Sequence, residues 1–118
     1  MDDSISHRRD EIYDLLSLIS DKYQQIEYQE KVPYANVSTE LFLQWEDMYF
    51  PDSDLLQAAF SEEGRKILSE FNEIFLLICD QTLQILPSLD KFQETKEWGI
   101  YSAAARNTLE KLKLDEKE

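Results

Sequence analysis

The sequence predicts an all-α fold, a compact four- to five-helix bundle in a single domain. Its 118 residues include two glycines and three prolines, too few for the many tight turns of an all-β sandwich or barrel. Apolar residues recur instead at helical spacing, and 42% of the residues are hydrophobic, including fourteen aromatic side chains. This length and composition favour one continuous core.

The first helix is predicted from about Ser4 to Gln29. It should end before Pro33, because proline disfavours the α conformation of the residue that precedes it. The apolar positions repeat at i, i+3, i+4 and i+7, the spacing of one helical face, and they are Ile12, Leu15, Leu16, Ile19, Tyr23 and Ile26.

Two shorter helices are predicted in the middle of the chain. The first runs from about Thr39 to Tyr49 with Ser38 or Thr39 as its cap, and it ends near Phe50-Pro51 because proline cannot continue a helix. A second, short helix begins with Ser53 or Asp54 as its cap and continues through Ala59.

Pro87 separates the central helix from the last one. The central helix covers about Glu62 to Leu86, and Ser88 caps a last helix that runs through Leu112. Residues 1–114 are therefore predicted to form one helical domain, and residues 115–118 a charged flexible tail. Short connections predict that these helices pack antiparallel around the central helix.

The charge of the chain indicates the sign of its partner. A net charge of −13 and a pI near 4.4 repel phosphate backbones and anionic membranes, so we expect no direct nucleic-acid or membrane binding. A basic protein partner is favoured instead. The start of the chain lacks the apolar region of a secretory signal and no run is long enough to span a membrane, so we expect a cytoplasmic protein.

The acidic residues are concentrated between Val32 and Gly64, a segment with seven carboxylates and no lysine or arginine. Aromatic residues lie among them, and Trp45 and Tyr49 either anchor a partner or pack into the core. Tyr34 and Phe50 could also contribute partly exposed rings. The predicted partner-binding residues are Glu46, Asp47, Asp52, Asp54, Glu62, Glu63, Trp45 and Tyr49.

The sequence does not indicate an enzyme, a cofactor or a metal site. The single histidine, His7, lies near the amino terminus, and there is no glycine-rich phosphate loop. Asp52, Asp54 and Glu63 match three positions of a calcium-binding EF-hand loop, but a glutamine replaces the glycine that makes its sharp turn. Capping carboxylates explain the same residues.

One stretch of the chain resembles a known class of proteins. The run from Trp45 to Pro51, the sequence Ala59-Phe60-Ser61-Glu62-Glu63, and then Leu68, Phe71 and Phe75 are similar to small helical immunity proteins of bacterial contact-dependent growth inhibition systems. The likeness covers about Glu40 to Phe75. It implies a monomeric cytosolic protein without catalytic residues that forms a heterodimer with a toxin domain, commonly a nuclease, and blocks it.

Two other functions remain open at this point. The chain could be an acidic nucleic-acid mimic, which needs carboxylates in an extended double track rather than a compact patch. It could also be a helical adaptor that binds a non-toxin partner through an apolar stripe of the central helix, with Leu76, Leu77 and Leu83 as the candidate residues. A homodimer could cover the same stripe.

Overall fold

The computed structural model describes residues 3–81 and 86–117, which are built from helices with no strand among them. The all-α class is confirmed, whereas the predicted count of four to five helices is wrong. The described ranges hold seven helices: α1 (Asp3–Ser20), α2 (Lys22–Lys31), α3 (Val37–Met48), α4 (Asp54–Ala59), α5 (Glu62–Gln81), α6 (Leu89–Phe92) and α7 (Lys96–Lys117). The two additional helices arise because the predicted first and last helices are each divided.

Asp21 divides the predicted first helix into α1 and α2. Its backbone is extended (φ −125°, ψ 110°), and its carboxylate accepts hydrogen bonds from the backbone N–H groups of Tyr23 (2.9 Å) and Gln24 (3.3 Å). Such an N-cap stabilises a helix by about 1 kcal/mol. The apolar spacing continues across the break, and for this reason periodicity predicted one helix.

A buried amide bonds the carbonyl groups that the end of α1 leaves without helical partners. The side chain of Gln25 is fully buried, and its Nε2 donates to the carbonyl oxygens of Leu18 (2.8 Å) and Ile19 (2.9 Å). Its Oε1 accepts from Gln93 Nε2 (3.0 Å) and Trp98 Nε1 (2.9 Å). Gln25 therefore joins α1 and α2 to the α6–α7 connection and to the first turn of α7.

The middle helices begin at capping side chains. Asn36, rather than the predicted Ser38 or Thr39, caps α3, and its side chain accepts from the Ser38 backbone N–H (3.1 Å). Ser53 caps α4 as predicted and accepts from the Leu56 backbone N–H (3.1 Å).

Aromatic side chains connect α3 with α5 and α7. Trp45 packs edge-on against Phe71, with ring centroids 4.7 Å apart, and its Nε1 donates to Asn72 Oδ1 (3.0 Å). Phe42 stacks on Tyr101 with centroids 4.6 Å apart. Aromatic pairs of this kind add roughly 0.5–1.5 kcal/mol each beyond the burial of their area. The face of α3 that carries these rings is thus fixed by the core.

The predicted last helix is also divided. The hydroxyl of Ser88 donates to Asp90 Oδ1 (2.6 Å) and makes no capping bond, and α6 ends after one turn. Thr95 then caps α7, because its Oγ1 accepts from the Trp98 backbone N–H (3.1 Å). The predicted end of the central helix, residues 82–86, lies largely outside the described residues, which follow α5 to Gln81.

The carboxyl-terminal residues extend α7 and contact α1 and Ser61, the residue before α5. The helix continues through Lys117, so the described part of the predicted flexible tail is helical. Asp115 Oδ2 accepts from the Ser61 hydroxyl (2.6 Å), and Glu116 pairs with Arg9 of α1 at 3.5 Å. These contacts tie the end of α7 to α1 and to the start of α5. Glu118 lies outside the described residues.

None of the helices in residues 3–81 and 86–117 is both long enough and apolar enough to cross a membrane. No group of three or more His, Cys, Asp or Glu side chains in residues 3–81 and 86–117 is arranged to hold a metal ion.

Candidate partner-binding surface

All six predicted partner-binding carboxylates are exposed, and in the described part of the chain none of them makes an ion pair. The ion pairs that are present join other residues, chiefly between α1 or α5 and α7 or within α1. Their electrostatic settings differ, because five of them lie at the carboxyl-terminal or the amino-terminal end of a helix and Asp52 lies between α3 and α4.

Glu46 and Asp47 lie in the last turn of α3, which carries no basic residue. The carboxyl-terminal end of a helix has a partial negative charge, so each carboxylate there is disfavoured by about 0.3–1 kcal/mol. The electric field of Glu46 also reaches Cys79 in α5. Burial is the main cause that raises the pKa of Cys79, and the Glu46 carboxylate raises it further. Within residues 3–81 and 86–117, neither carboxylate of this turn forms an ion pair.

Asp54, Glu62 and Glu63 have the opposite setting, because they lie in the first turns of α4 and α5. The partial positive charge of a helix amino terminus favours carboxylates there. Glu63 also lines a shallow depression on the α7 side together with Lys111. The fold therefore accounts for these three residues without any partner.

The candidate carboxylates lie on several elements of the fold. Asp52 lies in the α3–α4 connection beside Tyr49, and Asp54 follows it at the start of α4. Glu63, in contrast, lies toward α7. We define the acidic joint as Glu46, Asp47, Asp52 and Asp54, the four carboxylates on both sides of Phe50-Pro51.

The aromatic residues beside the acidic joint divide between core and surface. Trp45 is fully buried, so its prediction as a partner-binding residue is wrong and the alternative, a place in the core, is confirmed. Tyr49 is half-buried and stacks on Trp45, with centroids 4.8 Å apart. Burial raises the pKa of Tyr49, a hydrogen bond with Ser69 opposes this, and the Asp52 carboxylate raises it further. Phe50, 55% exposed, is the ring that a partner can reach.

Two of the three leucines that were predicted to form an apolar stripe on the central helix are described by the structure. Leu76 and Leu77 are exposed, and Leu83 lies outside the described residues. Leu77 lines an open groove of about 600 Å³ between α5 and α7, together with Ile100 and Ala103. The protein therefore has an accessible apolar groove in addition to the acidic joint.

A further open pocket, of about 780 Å³, lies between the α2–α3 connection and α6. Its wall includes Tyr34, and it lies at the amino-terminal end of α3, whereas the acidic joint lies at the other end. Sequence reasoning did not predict this pocket, because its two sides are about 55 residues apart in the chain and only the fold brings them together. The Pro33-Tyr34 dipeptide was the one feature of the sequence that could have indicated this pocket.

The single histidine lies on the surface. His7 pairs with Glu11 one turn along α1 at 3.0 Å, and its side chain is largely exposed. An exposed imidazole of this kind has no pocket in which to act on a substrate.

Comparison of the chain with models of protein families, with curated proteins and with solved structures gives no match in any of the three. The function is therefore argued from the geometry of this chain.

Proposed function

We propose that this chain is an immunity protein, an inhibitor that binds and neutralises a cognate basic toxin domain, commonly a nuclease. The observation that carries the proposal is the last turn of α3, where Glu46 and Asp47 are exposed, unpaired within the described residues and disfavoured by the helix dipole. Charges that the fold does not use are available to a partner of opposite charge.

The electrostatics of such a partnership fit the task of an inhibitor. A rigid negative field accelerates capture of a basic protein, toward about 10⁸–10⁹ M⁻¹s⁻¹ at low salt, and repels partners of like charge. A nuclease active site gathers lysine, arginine and histidine around the phosphates of its substrate. Carboxylates on a helical scaffold can pair with these groups and are not cleaved.

The acidic joint and the aromatic residues beside it have distinct roles in this proposal. Glu46, Asp47 and Asp52 receive hydrogen bonds from basic side chains of the toxin. Phe50 supplies the exposed ring that anchors the centre of the interface, as aromatic residues often do. The buried Trp45 does not contact the partner and instead holds the end of α3 against α5 through Asn72.

The resemblance of the segment from Glu40 to Phe75 to helical immunity proteins supports the same proposal. It implies a cytoplasmic monomer that forms a heterodimer with the toxin and has no catalytic activity. The acidic joint lies within this segment.

The proposal is tested by affinity capture from native lysate at low salt, with elution by a salt gradient. The baits are the unaltered chain, the Glu46→Gln/Asp47→Asn variant, and a control variant, Glu94→Gln/Glu110→Gln, which removes two exposed carboxylates elsewhere. We expect one basic protein that elutes at moderate to high salt from the unaltered and control baits, and whose toxicity or nuclease activity the unaltered chain suppresses. Capture of many unrelated nucleic-acid-binding proteins would contradict the proposal and favour a nucleic-acid mimic.

A second candidate function is a helical adaptor, and the groove between α5 and α7 favours it. The groove exposes Leu77 and Ile100 and includes small residues such as Ala103, which allow close approach of another helix. Binding there depends on apolar area and would resist salt. A partner that is retained in high salt and released by Leu77→Asp, but not by Glu46→Gln/Asp47→Asn, would establish the adaptor and contradict the immunity function.

A further inference from the structure

The pocket between the α2–α3 connection and α6 has a chemistry that differs from that of the acidic joint. Apolar groups of Ile26, Pro33 and Leu89 form much of its lining, and its volume of about 780 Å³ lies in the range of sites that bind ligands or side chains. The ring of Tyr34, 87% exposed, lies in the same lining. The pocket thus offers apolar walls and an aromatic face to an incoming group.

The amide side chains of the lining are bonded within the protein and offer few free donors to a ligand. The amide of Gln29 donates to the carbonyl oxygens of Val32 (3.0 Å) and Ala35 (2.7 Å). The amide of Asn36 donates to the Leu86 carbonyl oxygen (3.0 Å). Amides that are already bonded within the protein are poor donors for a ligand.

The amide of Gln93 and the hydroxyl of Ser88 are used in the same way. Gln93 Nε2 donates to Gln25 Oε1 (3.0 Å) and to the Lys22 carbonyl oxygen (3.3 Å). The hydroxyl of Ser88 donates to Asp90 Oδ1 (2.6 Å). An anionic or acceptor-rich ligand would therefore find few side-chain donors in the pocket.

Two carboxylates supply negative charge at this pocket. Glu30 and Asp90 both line it, both are exposed, and within the described residues neither makes an ion pair. The hydrogen bond from Ser88, followed by one from the Lys91 backbone, lowers the pKa of Asp90 and keeps the carboxylate ionised. Lys91 acts on Asp90 electrostatically but does not line the pocket.

We propose that this pocket binds an arginine side chain presented by a partner protein. A guanidinium group is planar, is always charged, presents five donors and is weakly hydrated, so it can stack on an aromatic ring while it donates to carboxylates. The methylene stem of arginine suits the apolar walls. The inference uses none of the residues of the acidic joint, and it therefore stands independently of the proposed toxin.

A synthetic peptide provides the direct test. The probes are acetyl-Ala-Arg-Ala-amide, the same peptide with citrulline, which is nearly isosteric and uncharged, and the same peptide with lysine. Each is titrated into the full-length, ¹⁵N-labelled chain and followed by amide chemical shifts. We expect the arginine peptide to shift the amides of residues 26–36 and 88–93, and to bind more tightly than either of the other peptides.

Variants assign the binding to the pocket. Glu30→Gln/Asp90→Asn should weaken binding of the arginine peptide about tenfold, and Tyr34→Ala should weaken it less. The matched control is Glu27→Gln/Glu94→Gln, two exposed carboxylates that do not line the pocket, which should leave the affinity unchanged. All substituted positions are exposed, so the helical spectrum and the unfolding midpoint should be retained.

Three outcomes would overturn the proposal. The citrulline peptide could bind as tightly as the arginine peptide, the lysine peptide could bind more tightly than both, or the arginine peptide could cause no shift in residues 26–36 and 88–93. An equal effect of the control pair and of Glu30→Gln/Asp90→Asn would overturn it as well, because it would show that general charge attraction governs the binding.

Discussion

Two groups of carboxylates in one short segment have opposite relations to the fold. Glu46 and Asp47 lie at the carboxyl-terminal end of α3, where the helix dipole disfavours negative charge, whereas Asp54, Glu62 and Glu63 lie at helix amino termini, where it is favoured. All five are exposed. The comparison teaches that acidic residues that cluster in sequence can differ in their relation to the fold, because helix amino termini account for the second group and not for the first.

The largest expected effect concerns the residue that precedes these carboxylates. Trp45→Ala should lower the free energy of unfolding by about 3–5 kcal/mol, because it removes a fully buried indole and its hydrogen bond to Asn72. The matched control is Phe50→Ala at the exposed ring, which should change it by less than about 0.5 kcal/mol. Urea denaturation measures both, and similar losses in the two variants would contradict the division between core and surface.

Asp21 is a carboxylate that does stabilise the fold, and its removal shows how large such a contribution to the free energy of unfolding is. Asp21→Ala should cost about 0.5–2 kcal/mol at pH 7, because it removes the cap of α2. Partial burial raises the pKa of Asp21, but hydrogen bonds from the side chain and backbone of Gln24 and from the Tyr23 backbone outweigh it, so the net shift is downward from 3.8.

The sign of the pH dependence follows from that shift. A carboxyl group whose pKa is lower in the folded state contributes its stability above the unfolded pKa and loses it as the pH falls through the folded pKa. The difference in stability between the unaltered chain and Asp21→Ala should therefore shrink below about pH 4. A difference that stays constant down to pH 2 would contradict the capping role.

The two groups of carboxylates should respond to neutralisation with opposite signs. Asp47→Asn should raise the free energy of unfolding by about 0.3–1 kcal/mol, and Asp54→Asn should lower it by a similar amount. Both residues are exposed and both substitutions are nearly isosteric, so the pair is internally controlled. The same sign for both variants in urea denaturation would show that net charge, not the helix dipole, governs this segment.

Salt should produce the smallest effect. At about 1 M NaCl the Debye length falls to about 3 Å, so the opposite changes in Asp47→Asn and Asp54→Asn should both diminish toward zero. The unaltered chain should become more stable as its net charge of −13 is screened. An undiminished difference between the two variants would assign it to hydrogen bonding instead of to charge.

The sequence predicted the helices where apolar spacing and capping residues agreed, as at Ser53 and at the start of α5. It failed at Asp21 and between α6 and α7, because the apolar faces continue through breaks that only a side-chain cap marks. Gln25 was not predicted as a buried residue, since two of its four partners, Gln93 and Trp98, lie 68 and 73 residues farther along the chain.

The candidate surface was predictable to a similar extent. The exposure of the six carboxylates followed from their charge, whereas the place of Glu63, in a depression that it shares with Lys111 of α7, depends on the fold. Periodicity placed Trp45 on a helical face but could not distinguish a core from an interface. The pocket beside Tyr34 required the fold, because α6 supplies one of its sides.

The central claim is that Glu46 and Asp47 face a basic toxin, and calorimetric titration of the captured partner tests it most directly. The unaltered chain is compared with Glu46→Gln/Asp47→Asn and with the Glu94→Gln/Glu110→Gln control, at low and high salt. We predict that the first variant weakens binding about tenfold or more at low salt and that the control does not. Equal affinities for all three proteins would contradict the claim.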